Sequence, residues 1–230
     1  MSINLIWGDS FKELKKFPDK YFDLIITDPP YGVGFSAYDD GSSIFKLEDE
    51  MYRVLKNDAW LIFFWSIKTL PNAFSFKKFK YKWMIICNYP TTKSKTPVGD
   101  RTYTPILIFK KGEPKVIHRR YDSIIAEELP IIKSEVKSGD FKTTFSLAQL
   151  LSMFSKEGDK ILDPFMGFGS LGLVCSFFNR DYVGIEIDEK RFKVAERIIN
   201  EKGITKSIPE MLEELETNRK IQIKLSEGYI

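Results

Sequence analysis

An α/β fold, a mostly parallel and doubly wound sheet of seven strands with helices on both faces, is predicted by three features of this sequence. Short apolar runs alternate with stretches of helical period, the pattern of a sheet covered by helices. A glycine-rich turn joins one of those runs to a helix start. The chain has 230 residues, 43% hydrophobic and 14% aromatic, which suits one large domain with its own core and is far from the composition of a disordered chain.

The apolar runs predict strands over 3–7, 22–27, 60–65, 83–88, 103–109, 160–163 and 182–186, and helices over 10–17, 44–56, 68–79, 145–155, 170–179 and 188–202. The stretch 44–56 is typical, with Leu47, Met51, Val54 and Leu55 at helical spacing and charges between them. Two regions break the alternation. Residues 90–102 form a polar loop, and 112–140 show no sustained period, so 111–140 is read as a short insertion in a single domain spanning 1–230. Residues 205–230 form an extension with an acidic helix over 209–217 and no legible role.

Composition narrows the chemistry. The two cysteines, Cys87 and Cys175, cannot make a disulfide framework or a multi-cysteine zinc site, and the lone His118 rules out a site needing two histidines. No metal is expected. The most apolar stretch, 59–67, is too short to cross a bilayer, and no leader is evident at the amino end. The expectation is a cytoplasmic protein with no membrane partner.

Two motifs carry chemistry. In Lys160-Ile-Leu-Asp-Pro-Phe-Met-Gly-Phe-Gly-Ser-Leu-Gly172, Gly167, Gly169 and Gly172 follow a strand and open a helix, and Glu186 ends the next strand. Glycines let a backbone approach a ligand, a helix start presents unpaired N–H groups, and a carboxylate suits a ribose diol. A turn kept for helix–strand packing is the structural alternative. Only 58 residues follow Gly172, too few for the rest of a dinucleotide-binding sheet. The remaining strands must therefore precede the turn, in a permuted order, and this argues against an NAD enzyme.

The second motif, Asp28-Pro-Pro-Tyr31, ends the apolar run from Phe22. Proline lacks an N–H and fixes the chain direction, so the tetrad is a rigid bend beyond a strand's carboxyl end, where open α/β sheets bind ligands. It offers a carboxylate, free carbonyls and an aromatic face, the groups that would grip a planar amine.

Together, Asp28-Pro-Pro-Tyr31 and Asp163-Pro-Phe-Met-Gly-Phe-Gly-Ser170 resemble the motifs of the amino-methylating DNA methyltransferases that use S-adenosylmethionine. With the tetrad first, the order is similar to that of their beta group. The resemblance covers roughly 3–200. It implies a permuted Rossmann-like methyltransferase fold, with Asp28, Pro29, Pro30 and Tyr31 as the catalytic bend. It also implies a cofactor pocket lined by Asp28, Asp163, Pro164, Phe165, Gly167, Gly169, Ser170 and Glu186. Asp9 either approaches the cofactor's adenine or caps the helix from Ser10. The family's His-Pro and Lys-Pro are missing from 139–146, where Lys142 and Thr144 are the candidates for the methionine end.

The implied activity is site-specific methylation of adenine N6 in double-stranded DNA, since Asp at the first tetrad position favours adenine. The alternatives are N4-cytosine methylation and a non-catalytic nucleic-acid-binding protein on a degenerate methyltransferase fold. A homodimer stays open. The net charge of +3 conceals a window, 77–120, with twelve Lys/Arg against Asp100 and Glu113. Within it and beside it Lys93, Lys95, Arg101, Lys115, Arg119 and Arg120 are the expected DNA contacts.

Overall fold

The computed structural model describes residues 1–32, 41–89, 94–97, 99–119, 122–126 and 144–201. The extension 205–230, much of the insertion, and the candidates Lys93, Arg120 and Lys142 lie outside the described residues, as does the side chain of Lys95.

Among the described residues ten strands form: β1 (Ile3–Trp7), β2 (Phe22–Thr27), β3 (Leu55–Phe64), β4 (Lys80–Asn88), β5 (Ser94–Thr96), β6 (Gly99–Arg101), β7 (Tyr103–Lys111), β8 (Ser123–Ile125), β9 (Lys160–Asp163) and β10 (Asp181–Glu186). Eight of them make one sheet in the order β1-β10-β9-β2-β3-β7-β4-β8, and β5 pairs with β6 as a separate hairpin. Strands β1 to β3 run parallel with β9 and β10, and β7 is antiparallel to both β3 and β4. The expected count of seven thus grows by one in the main sheet. Ser123–Ile125, inside the proposed insertion, adds to the edge of β4 in parallel register, Ile86 against Ser123 and Asn88 against Ile125.

Period-2 alternation builds a core on each face. On β3, Trp60, Ile62 and Phe64 join one cluster, with Ile106 and Ile108 of β7 and with α4 (Thr144–Phe154) and α5 (Ser170–Phe177). Leu61 and Phe63 point the other way, with Leu107 and Phe109, onto Leu14 just after α1 (Ser10–Glu13), Ile44 of α2 (Ser43–Lys46) and Met51 and Val54 of α3 (Glu48–Val54). The last helix, α6 (Glu189–Asn200), packs Ala195 into the first cluster and Ile198 and Ile199 against Leu173.

Three predicted helices differ in form. The stretch 44–56 divides into α2 and α3, and its end is claimed by β3, whose Leu55 pairs with Phe22. The stretch 10–17 is one α turn continued as the 3-10 turn Leu14–Lys16. The stretch 68–79 becomes the 3-10 segment Ile67–Phe74, with Pro71 inside; proline supplies no N–H to an α-helical ladder. Among the described residues, no helix is long and apolar enough to cross a membrane.

Candidate active site

The site lies where the sheet changes direction. From β9 the chain moves through α5 to β10, towards the β1 edge, while from β2 it moves through α2 and α3 to β3, towards the β8 edge. At such a switch point the connections diverge and leave a crevice at the strands' carboxyl ends. The ladder between β2 and β9 covers only Leu24–Ile161 and Ile25–Leu162. Beyond it the strand ends are tied by side chains: Thr27 donates its hydroxyl to Asp163 Oδ1 at 2.6 Å. The glycine turn and the Asp28 bend therefore leave adjacent strands at the same edge.

Asp163 is 4% exposed. Besides the Thr27 hydroxyl it accepts the Phe165 N–H at 3.2 Å and the Tyr182 hydroxyl at 3.2 Å. Burial pushes its pKa up to about 7; the three donors oppose this, and nearby Asp28 adds to it. A carboxyl raised above its ordinary value keeps its proton in the folded state between about pH 4 and 7, where the unfolded chain has lost it. The stability it contributes is complete below about pH 4 and disappears as pH rises through about 7. At about 1.4 kcal/mol per tenfold change in proton affinity, the window is worth on the order of 4 kcal/mol. Urea unfolding of ligand-free Asp163→Asn should show a flatter pH dependence between those limits than the wild type; parallel curves would contradict this assignment.

Glu186, also buried, bridges two turns. Its Oε2 accepts the Gly167 N–H at 2.8 Å and its Oε1 the Asp188 N–H at 2.8 Å, while burial raises its pKa. Each oxygen keeps a lone pair for a further donor.

The glycines divide their tasks. Gly167 sits at φ +58° with nothing within 4 Å of where a Cβ would stand, so this part of the turn faces open space. Gly169, at φ +79°, is packed against Ala195 of α6. At Gly172 a Cβ would stand 2.6 Å from Tyr182 Cε1 and 2.8 Å from Ile199 Cδ1. The ligand reading therefore suits Gly167, and the packing alternative suits Gly172. Gly172→Ala should cost about 1–3 kcal/mol of stability through overpacking, measured by chemical denaturation.

Pro164 is buried and its carbonyl accepts the Ser10 hydroxyl at 2.6 Å, tying α1 to the turn. Phe165 and Ser170 are partly exposed, Ser170 as the first residue of α5. Asp9 acts as the α1 cap, accepting the Phe11 N–H at 3.0 Å, which realises the capping alternative. It still stands at the site edge, because the neighbouring Gly8 N–H donates to the Glu186 carbonyl at 2.9 Å. Thr144 opens α4; it is fully buried and its hydroxyl has no hydrogen-bond partner.

On the tetrad side, Pro29 is buried and Asp28, Pro30 and Tyr31 are partly exposed. The Tyr31 hydroxyl donates to Asp28 Oδ1. Burial, and then the Asp28 charge, hold the Tyr31 phenol well above its ordinary pKa. The ring meets Trp65 edge-on at 5.6 Å, and the Tyr31 carbonyl accepts the Thr69 hydroxyl at 3.1 Å. Thr27, Trp65, Thr69 and Tyr182 thus fix the site although no sequence motif marked them. The only available signal was their position at or just beyond the ends of apolar runs.

The basic residues that the structure describes are not gathered into one patch. Strand β7 runs antiparallel to β3, so Ile106 pairs with Phe64 at the site edge and Lys110 with Trp60 nearer the opposite edge. Lys115 follows at that far edge, where its carbonyl accepts the Trp60 indole N–H at 3.2 Å. His118, beside Arg119, donates its N–H to the Met153 carbonyl near the end of α4. Of the candidates whose side chains are described, Arg101 stands at the site edge, within electrostatic reach of Tyr31, and the backbone of Lys95 pairs with Asp100 in the same hairpin. Among the described residues, no group of three His, Cys, Asp or Glu could hold a metal ion.

Fold and crevice define a class: doubly wound α/β proteins with an acid-lined glycine turn on one strand end and an acceptor-rich aromatic bend on its neighbour. Within that class the family is clear. A family model described as DNA methylase, covering the N6 and N4 types, matches residues 22–197, and the chain belongs to that family. It is 26% identical over 249 residues to the type II methyltransferase M.HpaI of Haemophilus parainfluenzae, covering 92% of this chain and 79% of that one. It is 27% identical over 240 residues to the DNA adenine methyltransferase YhdJ of Escherichia coli (strain K12), covering 84% of this chain and 81% of that one. Among solved structures, the M1.HpyAVI–SAM complex superposes with a TM-score of 0.71 at 20% identity, covering 86% of this chain and 99% of that one. The cytosine-N4-specific PvuII DNA methyltransferase does so with 0.65 at 17%, covering 87% and 93%.

Proposed function

We propose that this protein is a site-specific DNA methyltransferase that transfers a methyl group from S-adenosylmethionine to the exocyclic N6 of adenine in double-stranded DNA. The observation that carries this reading is the Thr27–Asp163 hydrogen bond, which joins the ends of β2 and β9 and opens the tetrad and the glycine turn onto one crevice. The residues present suit the cofactor: Gly167 borders open space, and Glu186 and Asp163 are buried carboxyl groups beside it. A carboxylate in the position of Glu186 complements a ribose diol, and a cationic ligand favours the ionised form of Asp163 over the protonated one that burial favours.

S-adenosylmethionine supplies an electrophilic methyl group on a sulfonium. Asp28 and the Pro29 carbonyl accept hydrogen bonds from the target amine, whose lone pair is otherwise conjugated with its ring. Those bonds strengthen as positive charge develops on nitrogen, which is the electrostatic contribution to the rate. Tyr31 stacks on the base once it has left the duplex, because the amine is inaccessible inside the stack. Its hydroxyl lies on Asp28 in the structure, so an incoming amine exchanges one donor for another. No imidazole takes part. Glu186 holds the ribose, Lys142 and Thr144 the methionine end, and Lys93, Lys95 and Arg101 contact phosphates.

Cytosine N4 is the second reading, motivated by the fold shared with the cytosine-N4-specific PvuII enzyme. Sequencing of modified bases in DNA from cells expressing the protein separates the two. N6-methyladenine in a fixed sequence context is expected; N4-methylcytosine there would move the assignment to cytosine, and unmodified DNA would remove the activity.

A further inference from the structure

Several of the described arginines are engaged within the fold. Arg53 spans Leu14, Phe17, Asp19 and Glu50, buried Arg180 spans Ser155 and Phe178, and Arg191 lies over the Phe168 ring. Arg101 differs. It is partly exposed, and among the described residues no carboxylate forms an ion pair with it.

Its place is set by strand pairing. Arg101 ends β6, opposite Ser94 in the hairpin. The next carbonyl, that of Thr102, accepts the Tyr89 N–H at 2.5 Å, and Tyr103 then pairs with Asn88 as β7 begins. Two residues on, the Pro105 carbonyl accepts the Trp65 N–H at 3.0 Å, and the Trp65 ring supports Tyr31. A short run of backbone contacts therefore fixes Arg101 at the carboxyl edge, beside the tetrad. Its charge favours the ionised Tyr31 phenol, the opposite of the Asp28 effect, so the guanidinium is felt at the catalytic bend.

A cation here has a specific electrostatic consequence. The amine becomes positive during transfer, and an uncommitted guanidinium nearby opposes that charge. A phosphate on the guanidinium removes the conflict, and the target nucleotide brings one. We propose that Arg101 is a positioning residue that binds the phosphate flanking the extrahelical nucleotide, holding its base over Asp28 and Tyr31. This rests on the methyltransferase reading above. The planar fork of arginine accepts two phosphate oxygens at once and so fixes orientation, which a lysine ammonium does not.

The test compares wild type, Arg101→Lys and Arg101→Ala on a duplex carrying the site found by modified-base sequencing. Single-turnover methyl transfer at saturating DNA and the salt dependence of DNA binding are both measured. For Arg101→Ala, the saturated rate should fall at least roughly tenfold, and the slope of log affinity against log salt should shrink by about 0.9, the value for one phosphate contact. Arg101→Lys should keep the slope and recover only part of the rate. Unchanged thermal unfolding is expected for both, since the side chain supports no ion pair in the fold. An alanine variant with the wild-type rate at saturation, whether or not its affinity drops, would overturn the positioning role. A wild type that transfers no methyl group would overturn the functional reading, and this inference with it.

Discussion

Asp28→Ala is expected to lower methyl transfer by roughly a thousandfold or more, while thermal stability stays close to wild type. The size of the loss follows from losing a preorganised group aimed at charge that develops only in the transition state, where single deletions cost about a hundred- to a thousandfold, together with the loss of an acceptor that orients the amine. The survival of the fold follows from the structure. The end of β2 is held by Thr27 on Asp163 and the bend by Thr69 on the Tyr31 carbonyl, and neither contact uses the Asp28 carboxylate. Labelled-methyl transfer to DNA and thermal unfolding check the two halves separately, and calorimetry with S-adenosylmethionine reads cofactor binding beside them. A variant that retains activity would remove Asp28 from the chemistry. One that loses cofactor binding as well would place Asp28 in the cofactor pocket, and one that unfolds would make its role structural. The same substitution removes one of the influences raising Asp163, so the Asp163 titration should move to lower pH.

Trp65→Ala is expected to cost about 3–5 kcal/mol of stability and to impair catalysis beyond what unfolding explains. The indole is fully buried, directly after β3. It meets Tyr31, Phe45 and Phe63 edge-on at 5.6, 5.6 and 5.7 Å, and its N–H donates to the Thr69 carbonyl at 2.9 Å. Removing it leaves a large cavity at the end of an aromatic cluster and takes away the wall behind the stacking tyrosine. At about 2–4 °C per kcal/mol for a domain of this size, the melting temperature should fall by roughly 6–20 °C. Methyl transfer measured well below the new transition should show a lower saturated rate, because a loosely held Tyr31 no longer fixes the base. Trp65→Phe should restore much of both. Wild-type kinetics in a destabilised Trp65→Ala would confine the residue to packing.

Local rules read some elements to the residue. The boundaries of β1, β2 and β9 agree with the sequence expectation, because each is a compact apolar run flanked by charged, glycine or proline positions. The start of β3 was not legible. Residues 56–58 are Lys-Asn-Asp, with Asp58 at φ +53°, and they join the strand as an irregularity in its register only because Leu55 pairs with Phe22 on one side and Ala59 with Lys111 on the other. Strand β8 escaped for the same reason: three residues carry no periodicity, and only the open edge of β4 makes them a strand.

The basic window shows what a linear count cannot reveal. Antiparallel pairing carries successive residues to opposite edges of the sheet, so Arg101 finishes beside the tetrad while Lys110 and Lys115 finish at the other end. Near-neutral charge concealed a basic segment, and the segment in turn concealed two locations.

The two motifs, their permuted order and the alternating pattern of a doubly wound sheet are legible in the chain, since bends, glycine turns and periodicity are written in neighbouring residues. That the motifs share a crevice, which glycine faces it, that Asp163 is a buried acid tied to Thr27, and which described cation reaches the tetrad emerge with the folded sheet. Those depend on strand order and register, which bring together residues as distant in the chain as Thr27 and Asp163, and no local interaction encodes that proximity.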